Sequence, residues 1–166
     1  MRRLILMRHA KSSWSDPGQR DLDRPLNKRG RRSATLVGEW LARQGYRPDL
    51  ALVSSARRTQ ETWSGLVAEV GPAATTYLPE LYHAGADALL EVLRRAGDAG
   101  CVLLLGHQPG IGGFAARVLA SPPDDPDFVK YPTAAAAVID FDRAAWADVD
   151  WGDGRLAAFA VPRTLE

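Results

Sequence analysis

The 166 residues suffice for one domain whose core needs no staples, and 46% hydrophobic with 25% charged residues are ordinary globular values. The 21 basic and 20 acidic side chains leave a net charge of +1, spread along the chain without a basic stripe or like-charge tail, which argues against nucleic acid and membrane surfaces as partners. A single cysteine, three histidines and no His-x-x-x-His exclude an internal disulfide and argue against a closed metal site, so no metal or cofactor is expected. The few apolar residues after Met1-Arg2-Arg3 are too short for a signal-peptide core, nothing approaches a membrane span, and the expected compartment is the cytoplasm.

The chain opens on Leu4-Ile5-Leu6-Met7, too short a run for a helix and suited to a strand buried on both faces. It empties into Arg8-His9-Ala10-Lys11-Ser12-Ser13. There a guanidinium, an imidazole, an ammonium and two hydroxyls form a compact set of anion partners beside a possible nucleophile. Residues Ser15 to Arg24 read as a long polar loop, either a lid or a solvated connector. Asn27 is placed to cap a helix over Lys28 to Gln44, with Leu36, Val37, Trp40 and Leu41 on its inner stripe and Gly45 at its end. The first turn of that helix, Lys28-Arg29-Gly30-Arg31-Arg32, is basic where the helix dipole disfavours cations.

A second strand, Leu50 to Val53, leads through Ser54-Ser55, either of which can cap the next helix, bearing Trp63, Leu66, Val67 and Val70. Arg58 and Thr62 lie one turn apart on one face of it, and Arg57 points elsewhere. Ala74 to Leu78 reads as a short strand. After Pro79-Glu80-Leu81-Tyr82-His83 a helix begins at Asp87, leaving no room for a cap insertion. Cys101 to Leu105, the most apolar run, belongs mid-sheet, and Cys101 reads as a buried strand residue. It enters Gly106-His107-Gln108-Pro109-Gly110, an anion cradle before a helix carrying Ile111, Phe114, Ala115, Val118 and Leu119. Ser121 to Pro132 reads as a Pro/Asp-rich connector, and Ala134 to Phe141 and Leu156 to Val161 as two last strands.

Alternating strands and helices predict a three-layer α/β/α sandwich with a mostly parallel central sheet, whose ligands bind beyond the carboxyl ends of the strands. Arg8 and His9, Arg58, and His107 fall at three such ends.

With Leu-Met-Arg8-His9-Ala10, Ser54-x-x-x-Arg58-Thr-x-Glu61-Thr62 and Gly106-His107-x-Pro109-Gly110, the sequence resembles the histidine phosphatase superfamily, with its phosphoglycerate mutase-like fold. Arg24-Pro25-Leu26-Asn27-x-x-Gly30 and Leu78-Pro-Glu80-Leu-Tyr82-His83 are similar to its short SixA-type phosphohistidine phosphatase branch. The resemblance implies that His9 is a nucleophile that becomes transiently phosphorylated. Arg8, Arg58 and His107 would hold the phosphoryl oxygens, with Ser12 adding a hydroxyl contact. Glu80 would stand where mutase-like relatives carry their proton donor, with Tyr82 and His83 nearby. Ala10 and Glu61 depart from the common Gly and Gln, and Arg57 stands directly beside Arg58. The implied activity is metal-independent hydrolysis of phosphohistidine on a protein. The alternatives are a phosphatase for a small phosphorylated metabolite and a phosphate-binding regulatory module without turnover.

Overall fold

All four residues of Leu4-Ile5-Leu6-Met7 are fully buried, as a strand covered on both faces requires, in a computed structural model that describes residues 1–166. The strands in chain order are β1 (Arg2–Arg8), β2 (Leu50–Ser54), β3 (Ala74–Leu78), β4 (Cys101–Gly106), β5 (Ala136–Phe141) and β6 (Gly154–Ala160). The helices are α1 (Lys28–Arg43), α2 (Arg57–Val70), α3 (Ala86–Arg94), α4 (Gly110–Val118) and α5 (Pro126–Lys130). The strands form one sheet in the order β3-β2-β4-β1-β5-β6, with β5 alone running against its neighbours. A parallel connection needs a crossover element, and the chain between β5 and β6 holds only a single 3-10 turn, so this pair is antiparallel.

Because strand side chains alternate, each apolar run feeds two cores. Leu4, Leu6, Leu52, Val102 and Leu104 pack on one face with α3, α4 and α5. Ile5, Met7, Val53, Leu103 and Leu105 pack on the other with α1 and α2. This is the expected three-layer sandwich with a mostly parallel sheet. Between β3 and α3 lies only a single 3-10 turn at Pro79–Leu81, so no cap covers the strand ends there. No helix is long and apolar enough to cross a membrane.

Asn27 caps α1 by accepting from the Gly30 amide at 2.8 Å. Gly30 itself lies so close to Lys11 that a methyl group there would overlap the Lys11 carbonyl oxygen, and only glycine lets α1 rest on the loop that follows β1.

The elements depart from the sequence reading at three points, and Cys101, read as buried, is only partly so. The connector after Ser121 contains α5, started by Pro126 and by Asp125, which accepts from the Asp127 amide at 2.9 Å. Its buried Phe128 stacks near Tyr131 and Phe159, so this segment is packed and is not merely solvated. Ala134 precedes β5 instead of opening it, because it takes a left-handed φ of 62°. The serines do not cap α2; its N-cap is Ala56, and the Ser54 hydroxyl serves elsewhere.

Candidate active site

Sheet register builds the site. Arg8 of β1 is paired with Gly106 of β4, so His9 and His107 leave adjacent parallel strands side by side, and their ring centroids lie 5.3 Å apart. Arg58, the second residue of α2, comes from the neighbouring β2 end and brings Nη2 to 3.5 Å from His107 Nδ1. Arg8 donates from Nη1 to the Tyr131 carbonyl at 3.2 Å. Tyr131 is itself anchored, its hydroxyl donating to the Leu6 carbonyl at 2.5 Å.

The ring orientations are fixed by single hydrogen bonds. His9 Nδ1 lies 2.7 Å from the Ala10 carbonyl, which can only accept, so the proton sits on Nδ1 and Nε2 carries the free lone pair. His107 Nε2 is held 2.7 Å from the fully buried Ser54 hydroxyl. The Ala10 amide donates to Thr62 Oγ1 at 3.0 Å, which clamps the loop carrying His9 onto α2.

Burial pushes the His9 imidazole down to about 4, reinforced by Arg58 and Arg8 and opposed by the Ala10 bond. Burial, then the neighbouring His9 and Arg58, push His107 down to about 3. Arg8 is lowered by burial and then by Arg58. Both imidazoles are therefore neutral near pH 7. The buried side-chain nitrogens left without any partner are Arg8 Nε and Arg58 Nε. Unsatisfied buried donors are rare in native proteins, and these two sit on arginines beside both imidazoles, a cradle that could hold a tetrahedral oxyanion.

The loop between Ser15 and Arg24 folds onto this cradle. Within it Asp21 accepts from Arg58 Nη2 at 3.0 Å, from Arg24 Nε at 3.0 Å and from the Tyr82 hydroxyl at 2.5 Å, and its backbone carbonyl accepts from Arg58 Nη1 at 2.7 Å. These bonds, Tyr82 foremost, hold the Asp21 carboxyl far below the usual carboxylate range, and burial and the same bond raise the Tyr82 hydroxyl. Arg24, itself buried, also lies under the exposed Trp14 ring at 3.5 Å.

The structure thus brings together Arg8, His9, Arg58 and His107, with Tyr82 beside them at 5.4 Å from the His107 ring. His83 stacks on Tyr82 at 3.9 Å. Arg57 turns away to an ion pair with Glu61 at 2.8 Å, which accounts for the departure at Glu61. Glu80 does not join the site, which corrects its expected position. It is half exposed, pairs with Arg95 at 2.9 Å and lines a separate hollow with Leu78 and Val92. The Ser12 hydroxyl accepts from Arg24 Nη1 at 2.7 Å and keeps its own hydrogen to donate. Asp21, Arg24 and Ser54 were not expected. No three His, Cys, Asp or Glu side chains converge to hold a metal ion. The largest hollow, about 530 Å³ between α1 and α2, is lined by Arg57 and Glu61 and excludes the histidines; the cluster itself, with its orphaned donors, marks the site.

A stability signature follows. Both imidazoles have folded pKa values below their ordinary value of 6.5, so the unfolded chain takes up protons that the folded chain refuses. Their contribution is fully present above pH 6.5 and is lost as pH falls through 6.5 toward about 4 and 3. Urea unfolding should show stability dropping by roughly 6 kcal/mol between pH 7 and pH 4, and in His107→Gln that drop should shrink by about half.

Comparison with known proteins agrees with this geometry. The model of the histidine phosphatase superfamily (branch 1) matches residues 4–84. An uncharacterised protein of Mycobacterium tuberculosis is 39% identical over 167 residues, covering 95% of this chain and all of that one. The structure of a protein provisionally named phosphohistidine phosphatase SixA from Nakamurella multipartitia superposes with a TM-score of 0.82 at 31% identity, covering 97% of this chain and 96% of that one. Its provisionally named counterpart from Agrobacterium tumefaciens gives 0.80 at 29% identity, covering 97% and 98%. Motifs, sheet order and full-length similarity agree: the chain belongs to the histidine phosphatase superfamily.

Proposed function

We propose that this protein is a metal-independent phosphatase that hydrolyses phosphohistidine on a protein substrate through a covalent phosphohistidine at His9. The observation that carries the reading is the pair of unpartnered Nε donors on Arg8 and Arg58, in one buried cluster with two imidazoles that burial keeps neutral. In the first step His9 Nε2 donates its lone pair to phosphorus and the P–N bond to the substrate ring breaks. That ring leaves as neutral imidazole after taking a proton from the site. In the second step water attacks phosphorus, the P–Nε2 bond breaks and inorganic phosphate departs with the water oxygen, its proton passing to the site. Arg8, Arg58 and His107 hold the phosphoryl oxygens and offset their charge throughout, which suits a loose transition state governed by positioning. Ser54 orients His107, and Ser12 orients Arg24.

The proton route runs through Tyr82 in place of Glu80, with Asp21 orienting its hydroxyl. Asp21 is ionised and holds the Tyr82 hydroxyl, so the two form one donor–acceptor pair at the cradle. An imidazole is a better leaving group than an alkoxide and needs less acid assistance. Two features favour a protein-borne substrate: the strand ends carry no cap beyond β3, and the proteins of similar structure bear the phosphohistidine phosphatase name. The deciding experiment compares a phosphohistidine peptide with a panel of small phosphorylated metabolites, in EDTA. Faster cleavage of the peptide supports the reading; metabolite preference, chelator sensitivity or absence of turnover overturns it.

Asp21→Asn should split the kinetic parameters. Removing a carboxylate that competes for Arg58 tightens inhibition by tungstate several-fold, whereas loss of the anionic partner of Tyr82 lowers kcat by about 10²-fold. Equal effects on both would show that Asp21 only holds the loop.

A further inference from the structure

The basic first turn of α1 has no role in the site described above. Lys28, Arg29, Arg31 and Arg32 crowd the positive end of the helix dipole, where cations lower stability. None of them, nor Lys11, is ion-paired, whereas eleven ion pairs occupy arginines elsewhere. Two hollows lie end to end along this turn. One, of about 230 Å³, is lined by Lys11, Arg29, Ser33, Thr133 and Arg163. The other, of about 390 Å³, continues past Lys28, Arg29, Arg32 and Ser33. Arg29 and Ser33 line both, so the two hollows meet at these residues and together make up a basic groove. Five cations line it against two carboxylates, Asp127 and Glu166, and Asp127 is tied to Arg163 at 2.5 Å.

One end of the groove is lined by residues next in the chain to the catalytic cluster. Lys11 follows His9 by two residues, and Pro132–Thr133 follow the Tyr131 carbonyl that holds Arg8. We propose that this groove docks an acidic segment of the protein substrate, beside its phosphohistidine. The proposal rests on the phosphohistidine reading for the identity of that partner.

The arrangement suits a strip of carboxylates better than a single small ion. A tetrahedral anion requires convergent, desolvated donors, as at Arg8 and Arg58, whereas Arg29 and Arg32 are exposed and spread along a helix. Nucleic acid is disfavoured because the footprint is one narrow groove on a chain of pI about 7.9. Charge complementarity of this kind acts chiefly on encounter and is screened by salt.

The test uses a glutamate-rich phosphohistidine peptide, its glutamine counterpart and an aryl phosphate, with wild type and the double charge reversal R29E/R32E. In wild type at low salt the glutamate peptide should be cleaved with about tenfold higher kcat/KM than the glutamine peptide, and added salt should erase the margin. R29E/R32E should lose the preference while its aryl phosphate turnover stays unchanged, which also shows the variant is folded. Equal kcat/KM for the two peptides in wild type, or a preference that survives R29E/R32E, overturns the proposal. Should neither peptide be cleaved while aryl phosphate is, the phosphohistidine reading fails, and the groove is judged by fluorescence anisotropy of the unphosphorylated glutamate peptide. Binding that disappears in R29E/R32E then supports it. No binding, or tighter binding of a DNA oligonucleotide, overturns it.

Discussion

His9→Ala is expected to lower turnover of phosphohistidine and aryl phosphate substrates by at least about 10⁴-fold, because it removes the proposed nucleophile, the atom that would bond to phosphorus. No other side chain can take over. The His107 ring lies 5.3 Å away, and the tautomer that offers Nδ1–H to a phosphoryl oxygen has its one lone pair, on Nε2, taken by the Ser54 hydroxyl, so it has none free to replace that of His9. The fold should persist, since the His9 ring makes one side-chain hydrogen bond, to a carbonyl one residue away, while the backbone of its loop is held by Gly106, Thr62 and Ala134. Rapid-quench mixing with labelled substrate should trap acid-labile, base-stable label on wild type and none on His9→Ala. His107→Ala should retain the label and lose about 10²–10³-fold in rate, as removal of one stabilising donor does. Label of normal yield on His9→Ala would place the nucleophile elsewhere.

The rim was legible because its residues sit next to strong local signals. His9 and His107 directly follow apolar runs that could only be buried strands, and parallel pairing puts neighbouring strand ends on one edge. Arg58 was separable from Arg57 because one helical step turns a side chain by about 100°. Asp21 was invisible for the opposite reason. It stands in a loop without periodicity, one of several acidic residues there, and only the fold shows that it crosses to Arg58 and Tyr82. Arg24 and Ser54 were masked by ready local roles, as loop charge and helix cap. Glu80 failed because a 3-10 turn of three residues reorients each side chain sharply, delivering Tyr82 to the rim and Glu80 to Arg95. The antiparallel β5 left no clear mark in sequence either, since a strand buried on both faces carries no alternation to show its direction.

Arg8→Met should lower kcat/KM by about 10³-fold and yet leave the unliganded protein at least as stable as wild type. The guanidinium of Arg8 makes one hydrogen bond, at 3.2 Å to Tyr131, keeps Nε unsatisfied and faces the like charge of Arg58. Leaving a buried donor unpaired costs about 1–3 kcal/mol, and exchanging a poorly paired buried charge for an apolar side chain of similar length is often neutral or favourable. On the proposed reading an oxyanion would reverse the balance, by satisfying both Nε atoms and replacing repulsion between guanidinium groups with attraction to a shared partner. Thermal unfolding with and without tungstate separates the two states. Wild type should gain several degrees on adding tungstate, since ligand that binds only the folded state stabilises it by mass action, and about 1 kcal/mol moves Tm by roughly 2–4 °C in a chain of this size. Arg8→Met should start at an equal or higher Tm and gain little from tungstate. A variant that unfolds well below wild type, or that keeps the full tungstate shift, would mean that Arg8 braces the fold through Tyr131 and is not held in reserve for an anion.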